Sequence, residues 1–370
     1  MPTAKLRANV PRAARVFTSV ALLGLVASGL AACSSAERDS YVLHYTTYSG
    51  QSSDQSKTVQ RWAEDVEERT AGGVTVEFHY SESLVGADES VQAALDGRAD
   101  LAQVGSIYAA SDLPMFTAVE LPFETQNPEV QMTAIERLYE ESEQFRADFD
   151  RQGVRLLFPL PLGISLVGSK TPVESVEDLA GMSIRSGGLT SQAMLSVGAN
   201  PVAMTATDIY ESMERGIVDG YTALAIANLP TFALSDTTPY VVNNGIGSYS
   251  SSIVIVNEEL FQSMPTEYQN ALLGASEDAI EMGLEEMDTL GQQSCDDLRA
   301  SGTEFSAFDE AEVTAWKDSA AVSDAWVDRY AARDYDSQAV LDEYRAIIAE
   351  ETPRSDYRDP LIACAAGTGA

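Results

Sequence analysis

From Tyr41 onward the apolar residues switch repeatedly between a two-residue and a 3.6-residue period, and that switching restricts the chain to sheets covered by helices. Residues 41–45 read as a strand. Residues 58–70 place Val59, Trp62, Ala63 and Val66 on one helical face, and Gly72-Gly73 stops the run. Val74, Val76, Phe78 and Tyr80 alternate as a second strand. A short helix over 89–95, closed by Gly97, leads to a third strand over 101–104. This β-α-β-α-β order predicts a mostly parallel sheet with helices on its faces. The order restarts with strand candidates at 155–159, 164–168, Ile184, 202–204 and 217–218. Between them, Ser175-Val-Glu-Asp178 and Thr205-Ala-Thr-Asp208 fit the reciprocal helix cap. The last third reads as helices over 266–298, 310–333 and 338–349. Two α/β units in one chain leave a cleft between them, a favoured place for a small ligand.

The N-terminus sets the compartment. Lys5, Arg7, Arg12 and Arg15 precede an uncharged, mostly apolar run over 16–32 that ends in Leu30-Ala31-Ala32-Cys33. These are the marks of a secretory signal, and the run is short for a span of about 20 apolar residues. The Leu-Ala-Ala-Cys ending resembles the bacterial lipobox, which implies acylation of Cys33. Residues 1–32 are then a lipoprotein signal peptide, and the polar residues 33–40 a tether on the outer face of the membrane. With 23 Lys+Arg against 57 Asp+Glu, the net charge of −34 excludes nucleic acid and anionic lipid surfaces as partners, since both demand clustered cations. Cys295 and Cys364 remain as one potential pair. A disulfide suits an exported chain, and two buried thiols are the alternative.

Catalytic parts are scarce. His44 and His79 have no histidine, cysteine or carboxylate at metal-ligand spacing, so no metal site is expected. Gly163-Ile-Ser165-Leu-Val167 departs from the nucleophile elbow at its last position. There is no phosphate-binding glycine loop. No cofactor and no enzyme activity are expected.

Residues 172–224 carry the most information. They include Glu177-Asp-Leu-Ala-Gly181, Ile184-Arg185, Gly198-Ala-Asn-Pro-Val-Ala-Met204 and Tyr210-Glu-Ser-Met-Glu-Arg-Gly-Ile-Val-Asp-Gly220. In order and spacing this stretch resembles the extracytoplasmic solute-binding subunits of TRAP transporters, the C4-dicarboxylate-binding-protein-like family. Leu84-Val-Gly86, Gly97-Arg-Ala-Asp100, Leu121-Pro-Phe123 and the segment 257–265 extend the likeness over roughly 41–300.

The resemblance implies a two-domain, type II periplasmic-binding-protein-like α/β fold with a hinged cleft and long C-terminal helices. Lobe I is expected over 41–160 plus about 250–290, and lobe II over 161–249 plus about 291–362. It also implies a monomer that captures a small organic acid and hands it to a small and a large membrane subunit. A module that presents its ligand to a sensory receptor is the rival reading. By the same resemblance Arg185 holds the ligand carboxylate, a task suited to a planar guanidinium that can donate two parallel hydrogen bonds.

Two departures bear on the ligand. Ser165 stands about where many relatives carry a second arginine, and Tyr221-Thr-Ala replaces a Gln-Glu-Asn. Both losses point to a monocarboxylate. Tyr48, Ser49, Ser106, Tyr108 and Tyr249, in loops after strands, complete the candidate site with Ser165 and Tyr221.

Overall fold

A computed structural model describes residues 40–366; the signal segment, Cys33 and the tether up to residue 39 lie outside the described residues. The strands are β1 (Tyr41–Thr46), β2 (Val74–His79), β3 (Leu101–Gly105), β4 (Val154–Leu160), β5 (Ile164–Ser169), β6 (Ser183–Ser186), β7 (Asn200–Ala203), β8 (Gly220–Tyr221), β9 (Tyr240–Ser248), β10 (Ser252–Asn257) and β11 (Glu304–Ala307). They form a five-stranded sheet in the order β2-β1-β3-β10-β4 and a six-stranded sheet in the order β11-β9-β5-β8-β6-β7. Each sheet is the core of one α/β lobe.

Both sheets are mixed rather than wholly parallel. In the first, β10 runs against β3 and β4; in the second, β5 runs against β8 and β9. These two strands receive the chain just after it crosses between lobes. The crossings are Pro161-Leu162-Gly163 and Tyr249-Ser250-Ser251, each joining a strand of one sheet to a strand of the other. Gly163 has φ +84°, and a Cβ there would lie 2.8 Å from the Ala225 Cβ and 2.9 Å from Asp359 Oδ2. Only glycine meets both demands.

The helix Asp54–Arg69 starts four residues before the apolar periodicity does, because Ser53 caps it: its Oγ accepts from the Ser56 N–H at 3.1 Å. Its buried face, Val59, Trp62, Ala63 and Val66, packs on the first sheet. The predicted strand at 217–218 is a turn, and the strand falls two residues later at β8.

The long C-terminal segments divide. Residues 266–298 form helices Thr266–Ser276 and Ala279–Ser301, and residues 310–333 form Glu310–Ala320 and Val322–Ala331, broken at Ala321 with φ +43°. Helix Ala279–Ser301 spans the lobes: Ala279 sits in the first core with Trp62, while Cys295 and Leu298 sit in the second with Ile164 and Leu166. The helices after it do not all stay with the second lobe. Trp316 Nε1 donates to the Ala193 carbonyl at 2.9 Å, but Trp326 Nε1 donates to Thr117 Oγ1 at 2.8 Å. Arg137 pairs with Glu350 and Glu351. Helices Val322–Ala331 and Ser337–Glu351 therefore lie against the first lobe. An amphipathic stripe shows that a helix has a buried face and leaves the covering lobe unstated.

Cys295 and Cys364 meet between helix Ala279–Ser301 and the short helix Pro360–Ala365, with Cα atoms 6.0 Å apart, a separation that a disulfide spans. Non-reducing peptide mapping is expected to recover them as one linked pair. Closing 69 residues of chain should add about 4 kcal/mol of stability, so Cys364→Ala should melt clearly lower; two alkylatable thiols in the oxidised protein would refute the link.

Candidate functional site

The loops that follow β1, β3, β4, β7, β8 and β9, together with β6 itself, converge on one narrow cleft between the lobes that is partly open to solvent. The first lobe contributes Tyr48, Ser49, Asp54, Gln55, Ile107 and Tyr108. The second contributes Arg185, Ala206, Ala223, Leu224, Asn228 and Phe232, and the crossing segments add Leu162, Tyr249 and Ser250. The wall is mostly aromatic and aliphatic with few polar groups, the composition of a small-molecule site.

Arg185 is its cation. It is the third residue of β6, an inner strand of the second sheet between β8 and the edge strand β7, and is 1% exposed. Nε and Nη2 donate to the Met204 carbonyl at 3.2 Å each; Nη1 donates to the carbonyls of Thr222 at 3.2 Å and Ala223 at 3.0 Å. A guanidinium has five N–H donors, so these bonds leave one Nη2 hydrogen uncommitted. The side chain is thus oriented by backbone, and the two-pronged fork expected from sequence is reduced to one arm here. Among the described residues no carboxylate lies within ion-pair distance of it. A buried cation without a counter-charge is costly, because its own proton cannot leave.

Across the cavity a polar network fixes the first lobe. Gln103 donates to Gln55, Ser49 Oγ donates to the same Gln55 oxygen at 3.1 Å, and Thr47 Oγ1 donates to Gln103. Gln103 also reaches Ser252 Oγ at 3.1 Å, which bonds the Tyr48 hydroxyl at 2.5 Å. Tyr48 and Tyr108 meet edge to face, ring centres 5.5 Å apart. Asp54, in the first turn of its helix, is buried with no hydrogen-bond partner for either carboxylate oxygen. Burial pushes its carboxyl up to about 6, against the pull of nearby backbone N–H groups and Lys57. The Tyr249 phenol is raised by burial and drawn back by Arg185.

Of the sequence candidates, Arg185, Tyr48, Ser49 and Tyr249 line the cavity, and so does Tyr108. Three do not. Tyr221 lies over Gly168, where a Cβ would collide with its ring, and its hydroxyl bonds Thr238 Oγ1 at 2.7 Å inside the second core. Ser165 Oγ is held by Thr222 Oγ1 at 3.0 Å and Asn244 Nδ2 at 3.1 Å. Ser106 Oγ sits behind the wall on Ser250 Oγ at 2.7 Å. Asp54, Gln55, Asn228 and Phe232 were missed. The cap signature Ser53-Asp54 could have placed the first two at a helix start facing the cleft. A further correction concerns His44 and His79, which have no partner at metal-ligand spacing in the sequence: their ring nitrogens approach to 3.1 Å on the parallel strands β1 and β2.

Residues 45–331 match the family described as bacterial extracellular solute-binding protein, family 7 (DctP). The chain belongs to this family. Family 7 proteins bind and transport solutes and are not enzymes. The C4-dicarboxylate-binding periplasmic protein DctP of Rhodobacter capsulatus is 23% identical over 80% of this chain and 90% of its own length. The 2,3-diketo-L-gulonate-binding periplasmic protein YiaO of Escherichia coli is 21% identical over 69% of this chain and 77% of its own. Among solved structures, a TRAP solute-binding protein from Rhodoferax ferrireducens with copurified benzoate superposes with a TM-score of 0.77, at 20% identity, covering 85% of this chain and 99% of that one. One from Bordetella bronchiseptica with bound (R)- and (S)-mandelate gives a TM-score of 0.74, at 23% identity, covering 84% and 99%. These likenesses establish the two-lobed fold.

In this family 7 chain a second buried carboxyl ties the lobes together beside the cavity. Glu120 of the first lobe accepts the Leu189 N–H at 3.1 Å through Oε2, on the loop just after β6, and Oε1 has no partner. Burial pushes its carboxyl up to about 8, with the Leu189 N–H and the Ser106 hydroxyl pulling the other way. The folded chain therefore takes up a proton on Glu120 between its ordinary value of 4.5 and about 8. Its contribution is most favourable below that window and declines as pH rises through it. Wild-type melting temperature should fall across this range, whereas Glu120→Gln should fall less and melt higher than wild type at pH 8. Parallel pH profiles for the two proteins would contradict this assignment.

Proposed function

We propose that this chain captures a small organic acid with one carboxylate and a flat, largely apolar body, and delivers it to the small and large membrane subunits of a TRAP-type transporter. The observation that carries the reading is Arg185: a buried, permanently charged guanidinium with no acidic partner, aimed at a cavity walled by Tyr48, Tyr108, Phe232 and Tyr249. A ligand carboxylate supplies the missing charge to the free Nη2 hydrogen, and the aromatic side chains cover the rest of the molecule. Asp54 faces the same space unpartnered. It repels a second carboxylate and suits a ligand bearing a hydroxyl or other donor away from its acid group.

Solved relatives with benzoate and with mandelate hold acids of this kind. The relative that binds C4-dicarboxylates shows that the family is not confined to them. Closure of the lobes on the ligand shifts an open–closed equilibrium, and the closed form is the one that membrane subunits recognise. Acylation at Cys33 tethers the protein to the outer face of the membrane.

Calorimetric titration with hydroxylated benzoates tests the ligand class. These should bind more tightly than dicarboxylates of similar size. Arg185→Ala should cost on the order of 2–5 kcal/mol, a loss of roughly 30- to 5,000-fold in affinity, and Arg185→Lys should restore only part. Undiminished binding by Arg185→Ala, or a preference for dicarboxylates, would overturn the reading. In the same peptide map that tests the disulfide, the membrane-extracted protein should begin at an acylated Cys33; an unmodified Cys33 would remove the tether.

A further inference from the structure

We propose that His44, Glu77 and His79 form a binding site for a late first-row divalent cation such as zinc, on the outer part of the first sheet and apart from the ligand cavity. The chain has two histidines, and both are here. Parallel pairing of β1 with β2 sets His44 opposite Glu77 and Thr46 opposite His79. The side chains of His44, Glu77 and His79 consequently leave the sheet on one face, since side chains alternate along a strand and paired residues share a side. Local spacing conceals this, because 35 residues separate the histidines.

The distances fit coordination. His44 Nδ1 and His79 Nε2 lie 3.1 Å apart. Two zinc–nitrogen bonds of about 2.0–2.1 Å at a tetrahedral angle place their nitrogens about 3.3–3.4 Å apart, so a small opening of the pair admits the ion. The rings are near-stacked, 5.4 Å between centres and inclined by 27°. One Glu77 oxygen lies 3.9 Å from His44 Nδ1, and the other lies 3.9 Å from His79 Nε2. The Glu77 side chain is 58% exposed, so it can swing an oxygen onto the ion at little cost.

Without a cation, one imidazole donates its N–H to the lone pair of the other. When a cation binds, the donating imidazole takes its other tautomer, its proton moving to the outer ring nitrogen, so that both facing lone pairs hold the ion and the carboxylate offsets part of its charge. Two imidazoles and one carboxylate favour zinc, nickel or copper over magnesium and calcium, which prefer all-oxygen shells. Three protein ligands leave a position for water. The scaffold is firm: the His44 N–H donates to Asp100 Oδ2 at 2.8 Å, and the His79 carbonyl accepts from the Thr47 N–H at 3.0 Å. A bound ion would cross-link β1 to β2 immediately before the loop that brings Tyr48 and Ser49 to the cavity.

Tag-free, chelator-treated, detergent-solubilised full chain titrated with zinc chloride alone tests the site. One zinc per chain should bind and raise the melting temperature, with magnesium and calcium silent. Cobalt should give the visible absorption of a low-coordinate site. His44→Ala with His79→Ala should weaken zinc by more than the roughly 10- to 100-fold that loss of an outer-shell partner costs. Glu77→Gln should weaken it less. The variants' unshifted melting temperature in chelator would show that they fold. Zinc uptake unchanged in the double histidine variant, or no uptake by the wild type, would overturn the proposal.

Discussion

A charge removed from water must be answered by another charge, by hydrogen bonds or by loss of its proton, and Arg185 has only the second of these from its own chain. Its guanidinium stays charged at any physiological pH. Three backbone carbonyls, those of Met204, Thr222 and Ala223, accept its hydrogen bonds and hold its orientation without neutralising it. The two carboxyls nearest in role behave differently. Asp54 and Glu120 reduce their burial cost by taking up protons, and burial accordingly pushes them up to about 6 and about 8. The cavity thus has one fixed positive charge, with one acid in its wall, Asp54, ionised only above about pH 6, and a second, Glu120, beside it and held neutral up to about pH 8. That asymmetry favours an anionic ligand even though the chain as a whole carries a net charge of −34.

The fold serves to keep that cation buried yet reachable. Arg185 sits near the C-terminal end of an inner strand, where an α/β sheet opens a crevice. The loop after β6 is tied to the other lobe through Glu120 and the Leu189 N–H. The two short crossings supply Leu162, Tyr249 and Ser250 to the cavity wall, so motion between the lobes must alter the cavity itself. Helix Ala279–Ser301 reaches both cores, and helices Val322–Ala331 and Ser337–Glu351 cross back to the first lobe. Relative movement is thereby confined to a hinge rather than free separation.

Much of the lobe architecture was legible because strand and helix periods are local. β1, β2 and β3 fell within a residue of their expected bounds, and Arg185 stood out as a rare cation between an apolar strand and a glycine pair. What failed depended on relations between distant segments. Tyr221 was expected in the cavity as an aromatic near the ligand, but its ring has a place over Gly168 that only strand register reveals. Ser165 was expected to face the ligand and instead belongs to a buried knot with Thr222 and Asn244. Asp54 went unnoticed because the helix was started at its apolar face instead of at its cap. The meeting of His44 with His79 likewise rests on pairing in space.

A crystal structure of the protein with whatever acid it retains through purification tests the central claim most directly. The account predicts one ligand carboxylate oxygen within about 3.2 Å of Arg185 Nη2, a normal hydrogen-bond length, with the body of the ligand against Tyr48, Tyr108 and Tyr249. A ligand whose carboxylate is held elsewhere, with Arg185 still turned only to the carbonyls of Met204, Thr222 and Ala223, would contradict it.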